Sequence, residues 1–413
     1  MTNTNRPHGL TETQATGLVL RLMALPGPSG EEGRVAKFVT RQLLKAGADP
    51  RSIGTDQAHR RSPRQGQTGN LVLKLPGTLR APRRLLVAHM DTVPICVGCR
   101  PIRRDQRVVS ADSHTGLGAD NRAGTAVLLS TALAILRHGL PHPPLTFLWC
   151  VQEEIGLQGA RLVRLGALGK PQLAFNWDGG CPEKLTIGAT GGYRMELTIR
   201  GLASHAGGAP EKGISAIAIA ALAISSLVQR GWHGKIEKGR HQGTSNVGVI
   251  AGGTATNVVA EEVKVQIEAR SHDPEFRQRI VTEIERAFQD AAREVRSASS
   301  QQNILGQRGH LEWKSRLEYE SFRLPLDDPS LQAAKEAIRK TDGTPQLAIA
   351  DGGLDANWLT ARGIPTVSLG CGQKNIHTAQ EELDLEEYHR ARAIALHIAS
   401  QVLPASRVVK ESP

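Results

Sequence analysis

Two imidazoles and three carboxylates in this chain, His89, Asp120, Glu154, Asp178 and His377, are of the types that hold a pair of divalent cations. Imidazole nitrogen and carboxylate oxygen both suit zinc. If one carboxylate is shared, five such side chains give each of two ions roughly tetrahedral coordination with a place left for water. Two ions about 3.5–4 Å apart clamp both the attacking hydroxide and the developing oxyanion of a hydrolysis. Glu153 directly precedes Glu154, and successive side chains of an extended chain point to opposite sides, so one glutamate can ligate while its neighbour faces the water as general base. Asp91, two residues beyond His89, lies on the same side as the imidazole and can hold its other ring nitrogen, fixing the tautomer that binds metal. Each residue alone has an ordinary explanation, since an acidic residue after a strand is usually a solvated turn residue. The reading rests on their convergence.

That convergence must come from the elements that carry them. The hydrophobic pattern predicts strands at 70–76, 84–89, 145–152, 173–178, 346–350 and 364–369, alternating with helices at about 121–138, 157–168, 329–340, 354–362 and 386–402. Ser29 and Glu32 read as a capping box opening a helix through Val35, Phe38, Val39 and Leu43, and the polar stretch 50–68 reads as a long surface loop. This is an α/β pattern, a mostly parallel sheet covered by helices on both faces. His89, Asp91, Glu153, Glu154, Asp178 and His377 all follow carboxyl ends of its strands, the edge where open α/β sheets bind ligands. Asp120 joins them at a helix start after a Gly-rich turn at Gly116 and Gly118.

Near Gly188 the order changes to strand 193–200, helix 211–230, strands 245–250 and 262–270, helix 274–296 and strand 310–320. This β-α-β-β-α-β order is the ferredoxin-like α+β arrangement and predicts an inserted domain at 189–322, between catalytic parts at 1–188 and 323–413. At 413 residues the chain is long enough for two compact units.

Composition narrows the partners. Hydrophobic residues at 39% and charged residues at 22% are those of a globular protein. The formal charge of +11 invites a phosphate-binding reading, yet the basic residues are dispersed. The densest group, Arg60, Arg61 and Arg64, has no stacking aromatics between its members, which argues against nucleic acid. The longest apolar run, Ile214 to Val228, falls short of the about 18 apolar residues of a membrane span and reads as a buried helix. Five cysteines suit a reducing compartment, so the cytoplasm is expected, and Cys96 with Cys99 reads as two incidental loop thiols because no second pair follows at zinc-ribbon spacing. His114, six residues before Asp120, reads as a surface residue near the rim of the site.

The runs HMDTVP (89–94), GLGADNRAG (116–124), QEEIGLQGA (152–160), NWDGG (176–180), GLASHAG (201–207), GGTATNVV (252–259) and IHTAQE (376–381) resemble, in order, the motifs of the zinc exopeptidases that include peptidase T, glutamate carboxypeptidase and aminoacylase. The resemblance spans nearly the whole chain and is nearest to the peptidase T-like branch. It implies that His89, Asp120 and Asp178 hold one zinc, that Asp120 bridges, and that Glu154 and His377 hold the second, with Glu153 as base and Asp91 behind His89. Cobalt or manganese are substitutes for zinc. It further implies a lid that forms a homodimer and a His205 that reaches the scissile carbonyl. Asn257 and Arg270 are implied to hold the backbone or terminal carboxylate of a short peptide substrate. Arg270 also fits an ordinary surface arginine, since Val263, Val265, Ile267 and Ala269 alternate to the other face. The function expected is aminopeptidase cleavage of tripeptides. Because the segment GCGQKN before His377 lacks the tyrosine of better-known tripeptidases, carboxypeptidase or N-acyl amino acid deacylase activity stands as the alternative. A non-catalytic binding protein on the same fold is the reading from another class.

Overall fold

The computed structural model describes residues 9–296 and 308–400. The chain divides into two compact units, one of residues 1–188, 323–350 and 354–413, the other of 189–322 and 351–353.

The first unit is built on a nine-stranded sheet. Its centre is four parallel strands in the order Leu145–Cys150, Arg84–His89, Leu173–Trp177 and Thr366–Leu369. Every residue of these four is buried, as expected where helices cover both faces of a parallel sheet. Antiparallel strands flank them, with Leu71–Leu75 beside Leu145–Cys150 and Lys184–Ala189 beside Thr366–Leu369. The helix Ala119–His138 is buried from Ala119 through Ile135, which explains why its sequence is apolar on all sides rather than along one stripe. Its close approach to the sheet requires glycine: a Cβ at Gly124 would stand 2.3 Å from the Trp177 carbonyl oxygen and 2.4 Å from Asn121 Oδ1.

A smaller four-stranded sheet, with strands in the order Gln373–Lys374, Glu382–Asp384, Arg107–Ser110 and Pro101–Arg104, anchors the hairpin that contains His377. The sequence pattern did not reveal it, because strands of two to four residues leave no usable periodicity. Three further expectations are corrected. The helix expected at 157–168 is a short helix Gln158–Leu162 and a 3₁₀ turn Leu165–Leu168, separated at Val163 by extended backbone, and Gly166 weakens any continuation. The stretch 50–68 is not all loop: it holds the edge strand Ile53–Thr55 and the helix Ala58–Arg61. Ser29 and Glu32 form no capping box; the helix starts at Gly33, no side chain caps it, and both residues turn inward instead.

The second unit is a five-stranded antiparallel sheet in the order Gly234–Lys238, His241–Gly252, Glu262–Ser271, Gly191–Arg200 and His310–Tyr319. The last four strands make the ferredoxin-like order, and Gly234–Lys238 is an additional edge strand absent from the sequence reading. Helices Ala216–Gln229 and Pro274–Glu294 cover one face, with Ile219, Leu227, Ile280, Ile284 and Phe288 packed against Leu197, Val265 and Ile267. The helix expected from 211 begins at Ala216 behind a Ser215 cap, and Pro210–Lys212 forms a separate 3₁₀ turn.

Replacing Gly124 with Ala forces a methyl group into backbone that cannot yield, and overpacking of this kind costs about 1–3 kcal/mol. Urea denaturation should show the loss; a midpoint equal to that of the unsubstituted chain would mean that the helix is free to move away from Trp177.

Candidate metal centre

His89 is the last residue of its strand, and Asp178 follows directly after Leu173–Trp177. Glu153 and Glu154 stand in the turn after Leu145–Cys150, where Gln152 adopts a positive φ of 56°. Asp120 opens the long helix, and its backbone departs from helical geometry there. His377 projects from the hairpin loop between Gln373–Lys374 and Glu382–Asp384.

These side chains meet. His89 Nε2 lies 3.2 Å from Asp120 Oδ1, 3.8 Å from Asp178 Oδ2 and 3.9 Å from Glu153 Oε2. The other Asp120 oxygen, Oδ2, lies 3.2 Å from His377 Nε2, which is also 3.0 Å from Glu154 Oε2. Asp120 therefore stands between the two imidazoles with one oxygen toward each. Two sets of side chains offer ligand atoms mutually within 4.8 Å, His89 with Asp120 and Glu154, and His89 with Glu153 and Asp178. Glu153, expected as base, is thus as close to His89 as Asp178 is.

Asp91 sits behind His89, with Oδ1 3.4 Å from Nδ1. It is fully buried and accepts the Ser29 hydroxyl at 2.6 Å and the backbone amides of Glu153 at 3.1 Å and Glu154 at 3.2 Å. One carboxylate thereby orients the imidazole and fixes the turn that presents both glutamates.

The electrostatics are those of crowding. Burial, reinforced by neighbouring carboxylates, pushes Glu153 and Asp178 well above the usual carboxyl range. Burial raises Asp355 to about 6, against the pull of His89 and Cys150 and with a smaller push from Asp91, and burial followed by the Asp91 charge raises Glu32 to about 7. Hydrogen bonds to Asp120 and Glu154 raise His377 to about 10. Burial opposes charging of His89, but Glu153, Asp120, Asp91 and Asp178 outweigh it and hold that ring well above its ordinary value. Burial likewise works against Asp120, which the two imidazoles nevertheless hold low. Asp120 Oδ1 is buried without a hydrogen bond. Carboxylates crowded around two imidazoles, with an unsatisfied oxygen facing inward, are a donor set that fits divalent cations.

Several participants escaped the sequence reading. Ser29 and Glu32 were assigned to a helix cap, whereas Glu32 Oε1 accepts the amides of Gly30 at 2.8 Å and Gln152 at 3.0 Å. Arg122 is buried beneath, with Nη2 donating to the Leu25 and Gly27 carbonyls, and its charge acts on Asp91 and Glu32. A charged residue in an otherwise apolar helix was the available signal. Cys96 and Cys99, read as incidental loop thiols, are both buried, and Cys96 Sγ lies 3.6 Å from Glu381 Oε2. His114 is exposed, its amide bonded to Asp112.

His205, Asn257 and Arg270 belong to the second unit. His205 is exposed, and its Nδ1 accepts the amides of Gly207 at 3.1 Å and Gly208 at 2.9 Å, so the proton of the neutral ring resides on Nε2, a donor. Asn257 is a near neighbour, its carbonyl accepting the Ala206 amide at 2.9 Å. Arg270 stands on the polar face, as its alternation with buried Val263, Val265, Ile267 and Ala269 implied, but its guanidinium fork is bound to Glu268 at 3.1 and 3.0 Å.

Residues 70–206 match the family model described as peptidase family M28, and residues 187–296 match the peptidase dimerisation domain. The protein YqjE of Bacillus subtilis (strain 168) is 30% identical over 383 residues, covering 92% of this chain and 96% of the relative. Among solved structures, the aminopeptidase PepT of Bacillus cereus ATCC 10987 superposes with a TM-score of 0.81 at 29% identity, covering 95% of this chain and 99% of its own. A tripeptidase of Staphylococcus aureus subsp. aureus mu50 gives 0.83 at 29% identity over 95% and 98%. An open α/β sheet with a His/Asp/Glu cluster at its carboxyl edge and an inserted α+β unit defines a metallo-exopeptidase. The chain belongs to this family in its peptidase T-like branch.

The pKa shifts set the behaviour of chelated protein. Raised carboxyls such as Glu32 and Asp355 favour the fold while protonated; that contribution is complete below their ordinary 4.5 and 3.8 and disappears as pH climbs through about 7 and 6. His377 acts in the same direction, its contribution present below 6.5 and lost toward about 10. Asp120, held low, loses its contribution only below 3.8. Chelated protein should therefore unfold more easily at about pH 8 than at about pH 5, and added metal should recover more stability at the higher pH. At about 100 times its Kd a single ion adds about 2.7 kcal/mol. Thermal unfolding with and without chelator checks this, and a midpoint indifferent to both pH and metal would contradict it.

Proposed function

We propose that the chain is a dinuclear zinc exopeptidase that removes the N-terminal residue of short peptides, tripeptides foremost. The observation that carries the reading is Asp120, set between His89 and His377 with one oxygen 3.2 Å from each ring. The names of the solved relatives, an aminopeptidase and a tripeptidase, supply the substrate class. In this reading His89, Asp120 and Asp178 hold one ion, and Asp120, Glu154 and His377 the other. When bound, such a pair supplies an acidified water and a Lewis-acid grip on the peptide carbonyl.

The chain's own residues do the rest. Glu153, buried beside the cluster and next in sequence to Glu154, takes the proton of the attacking water and passes it to the leaving amine. Asp91 keeps His89 oriented. His205 donates its Nε2 proton toward the carbonyl oxygen of the substrate. Asn257 and Arg270 hold the peptide backbone or its terminal carboxylate, for which Arg270 must exchange Glu268 for the substrate.

A homodimer through the second unit accompanies this reading. Among the described residues Gly234–Lys238 pairs with residues 241–245 of its neighbour, the Val247 amide donates to the His233 ring at 3.3 Å, and no strand pairs with the edge from Gly248 to Gly252. Val249 and Ile250 on that edge and Ile217 on the adjoining helix are about half exposed. An open strand edge with apolar side chains is a template for a second copy. Among the described residues no helix is long and apolar enough to cross a membrane. A reducing cytoplasm suits the five cysteines, none of them paired.

Glu153→Ala should keep its metal and lose about 10²–10⁴ in kcat, the usual contribution of a positioned proton carrier. Rates on a panel of tripeptides, dipeptides and N-acetyl amino acids, with metal content determined in parallel, test both the role and the substrate class. Near-normal turnover by the variant rejects the role, hydrolysis that survives complete chelation rejects the metal reading, and preference for N-acetyl amino acids favours the deacylase alternative. For the assembly, Ile250→Lys should shift the chain from dimer to monomer in sedimentation velocity at micromolar concentration. A dimer that withstands the charge would move the interface elsewhere.

A further inference from the structure

The hairpin that presents His377 also carries Glu381, four residues on. Glu381 is 2% exposed, and both of its oxygens are committed to one short stretch of backbone: Oε2 accepts the Gly118 amide at 2.6 Å and Oε1 accepts the Asp120 amide at 2.9 Å. Those two amides lie at the start of the long helix, where Gly118 has a φ of 74° and Asp120 leaves helical geometry; the Arg122 amide closes this turn on the Gly118 carbonyl at 3.2 Å, while the Asp120 amide, one of the free donors of a helix start, is held by Glu381. A second side chain of the same hairpin reinforces the contact. Gln373 donates through Nε2 to Asn121 Oδ1 at 2.8 Å and to the Ala119 carbonyl at 3.2 Å, while its Oε1 accepts the Gly179 amide at 2.9 Å, next to Asp178.

We propose that Glu381 is the positioning residue for the shared carboxylate, clamping the backbone of Asp120 so that its two oxygens stand in register with both imidazoles. A carboxylate is the side chain this task needs. Two N–H donors two residues apart require two acceptor oxygens, and an amide in its place would turn one NH₂ donor against an N–H donor. Hydrogen bonds from neutral amides to an anion are about twice as strong as neutral ones, and here two of them work against the burial that raises the Glu381 carboxyl. The clamp also couples the two ends of the site. The segment that supplies His377 holds the backbone of Asp120, so displacing the hairpin moves a ligand of one ion and the bridge between both.

This inference rests on the dinuclear reading above, and the test separates the two. Full-length Glu381→Gln, Glu381→Asp and, as a control, Glu382→Gln are titrated with Zn²⁺ and Co²⁺ against a chromophoric chelator. Unfolding midpoints of the chelated proteins are measured alongside, together with the visible spectrum of the cobalt forms. Outer residues that orient metal ligands typically contribute about 10–100-fold in affinity, and a weakening of that size is expected for Glu381→Gln, with an altered cobalt spectrum. Glu381→Asp, which keeps the charge but reaches only one amide, should fall between that variant and the unsubstituted chain. Glu382→Gln should match the latter. A lower midpoint with unchanged affinity would show a merely structural residue and overturn the proposal, as would wild-type binding and spectrum in Glu381→Asp should the glutamine variant fail to fold. If the unsubstituted chain binds no ions, the dinuclear reading falls and takes this one with it; two ions held equally by all the chains refutes this one alone.

Discussion

Like charges brought together out of water are the constraint on which the first unit depends. Asp91, Asp120, Glu153 and Asp355 are buried and Asp178 is half-buried, and neighbouring carboxylate charges raise Glu153, Asp178 and Asp355. Such crowding costs least where the charges are met by donors, and backbone amides meet Asp91 and the neighbouring Glu32 and Glu381, although Asp120 Oδ1 is left without a hydrogen bond. Asp91 takes the amides of Glu153 and Glu154, Glu32 those of Gly30 and Gln152, and Glu381 those of Gly118 and Asp120. The turns around the site are shaped by this requirement. Gln152 at φ 56° and His377 at φ 63° are conformations few non-glycine residues adopt, and both lie where an amide or a ring must be aimed inward.

The parallel sheet contributes rigidity rather than chemistry. His89 and Asp178 stand at the ends of adjacent, fully buried strands that are registered residue by residue from Arg84 with Leu173 to Val87 with Asn176, so their separation is fixed by the ladder. Asp120, Glu154 and His377 come from turns and loops, which have no such ladder, and there side chains substitute for it. Gln373 ties the Asp120 turn to the Asp178 turn, and Glu381 ties it to the His377 hairpin.

This division explains what was legible in the amino-acid order. Strand Arg84–His89 and helix Pro329–Lys340 match their expected limits, because burial imposes hydrophobic runs or faces that periodicity detects; Gln346–Ala350 matches as well although none of its residues is buried. The residues proposed as ligands were found because their side-chain types are rare at strand ends in combination. Glu32, Gln373 and Glu381 were not, and for one physical reason: they accept backbone amides, and an amide has no letter in a sequence; Ser29 was missed too, although it donates to the Asp91 side chain. Ser29 with Glu32 even imitated a helix cap, since the spacing that serves a cap also places two side chains on one side of a turn. Arg270 shows the converse. Its alternation correctly put it on the polar face, but periodicity could not tell that Glu268, two residues back on the same face, would occupy its fork.

The formal charge of +11 is therefore a poor guide to what the chain binds. Exposed basic side chains are in several cases engaged locally by carboxylates, as in Arg200 between Glu262 and Glu312, or Arg51 on Asp49. The functional cluster is instead acidic and interior, and its two rings differ in access: the His89 side chain is 2% exposed and that of His377 is 46% exposed. With Asp91, Ser29 and the strand ends packed behind His89, that side is closed by protein, whereas His377 borders solvent. Within the first unit, the hairpin that Glu381 anchors therefore carries the more exposed of the two rings of the cluster.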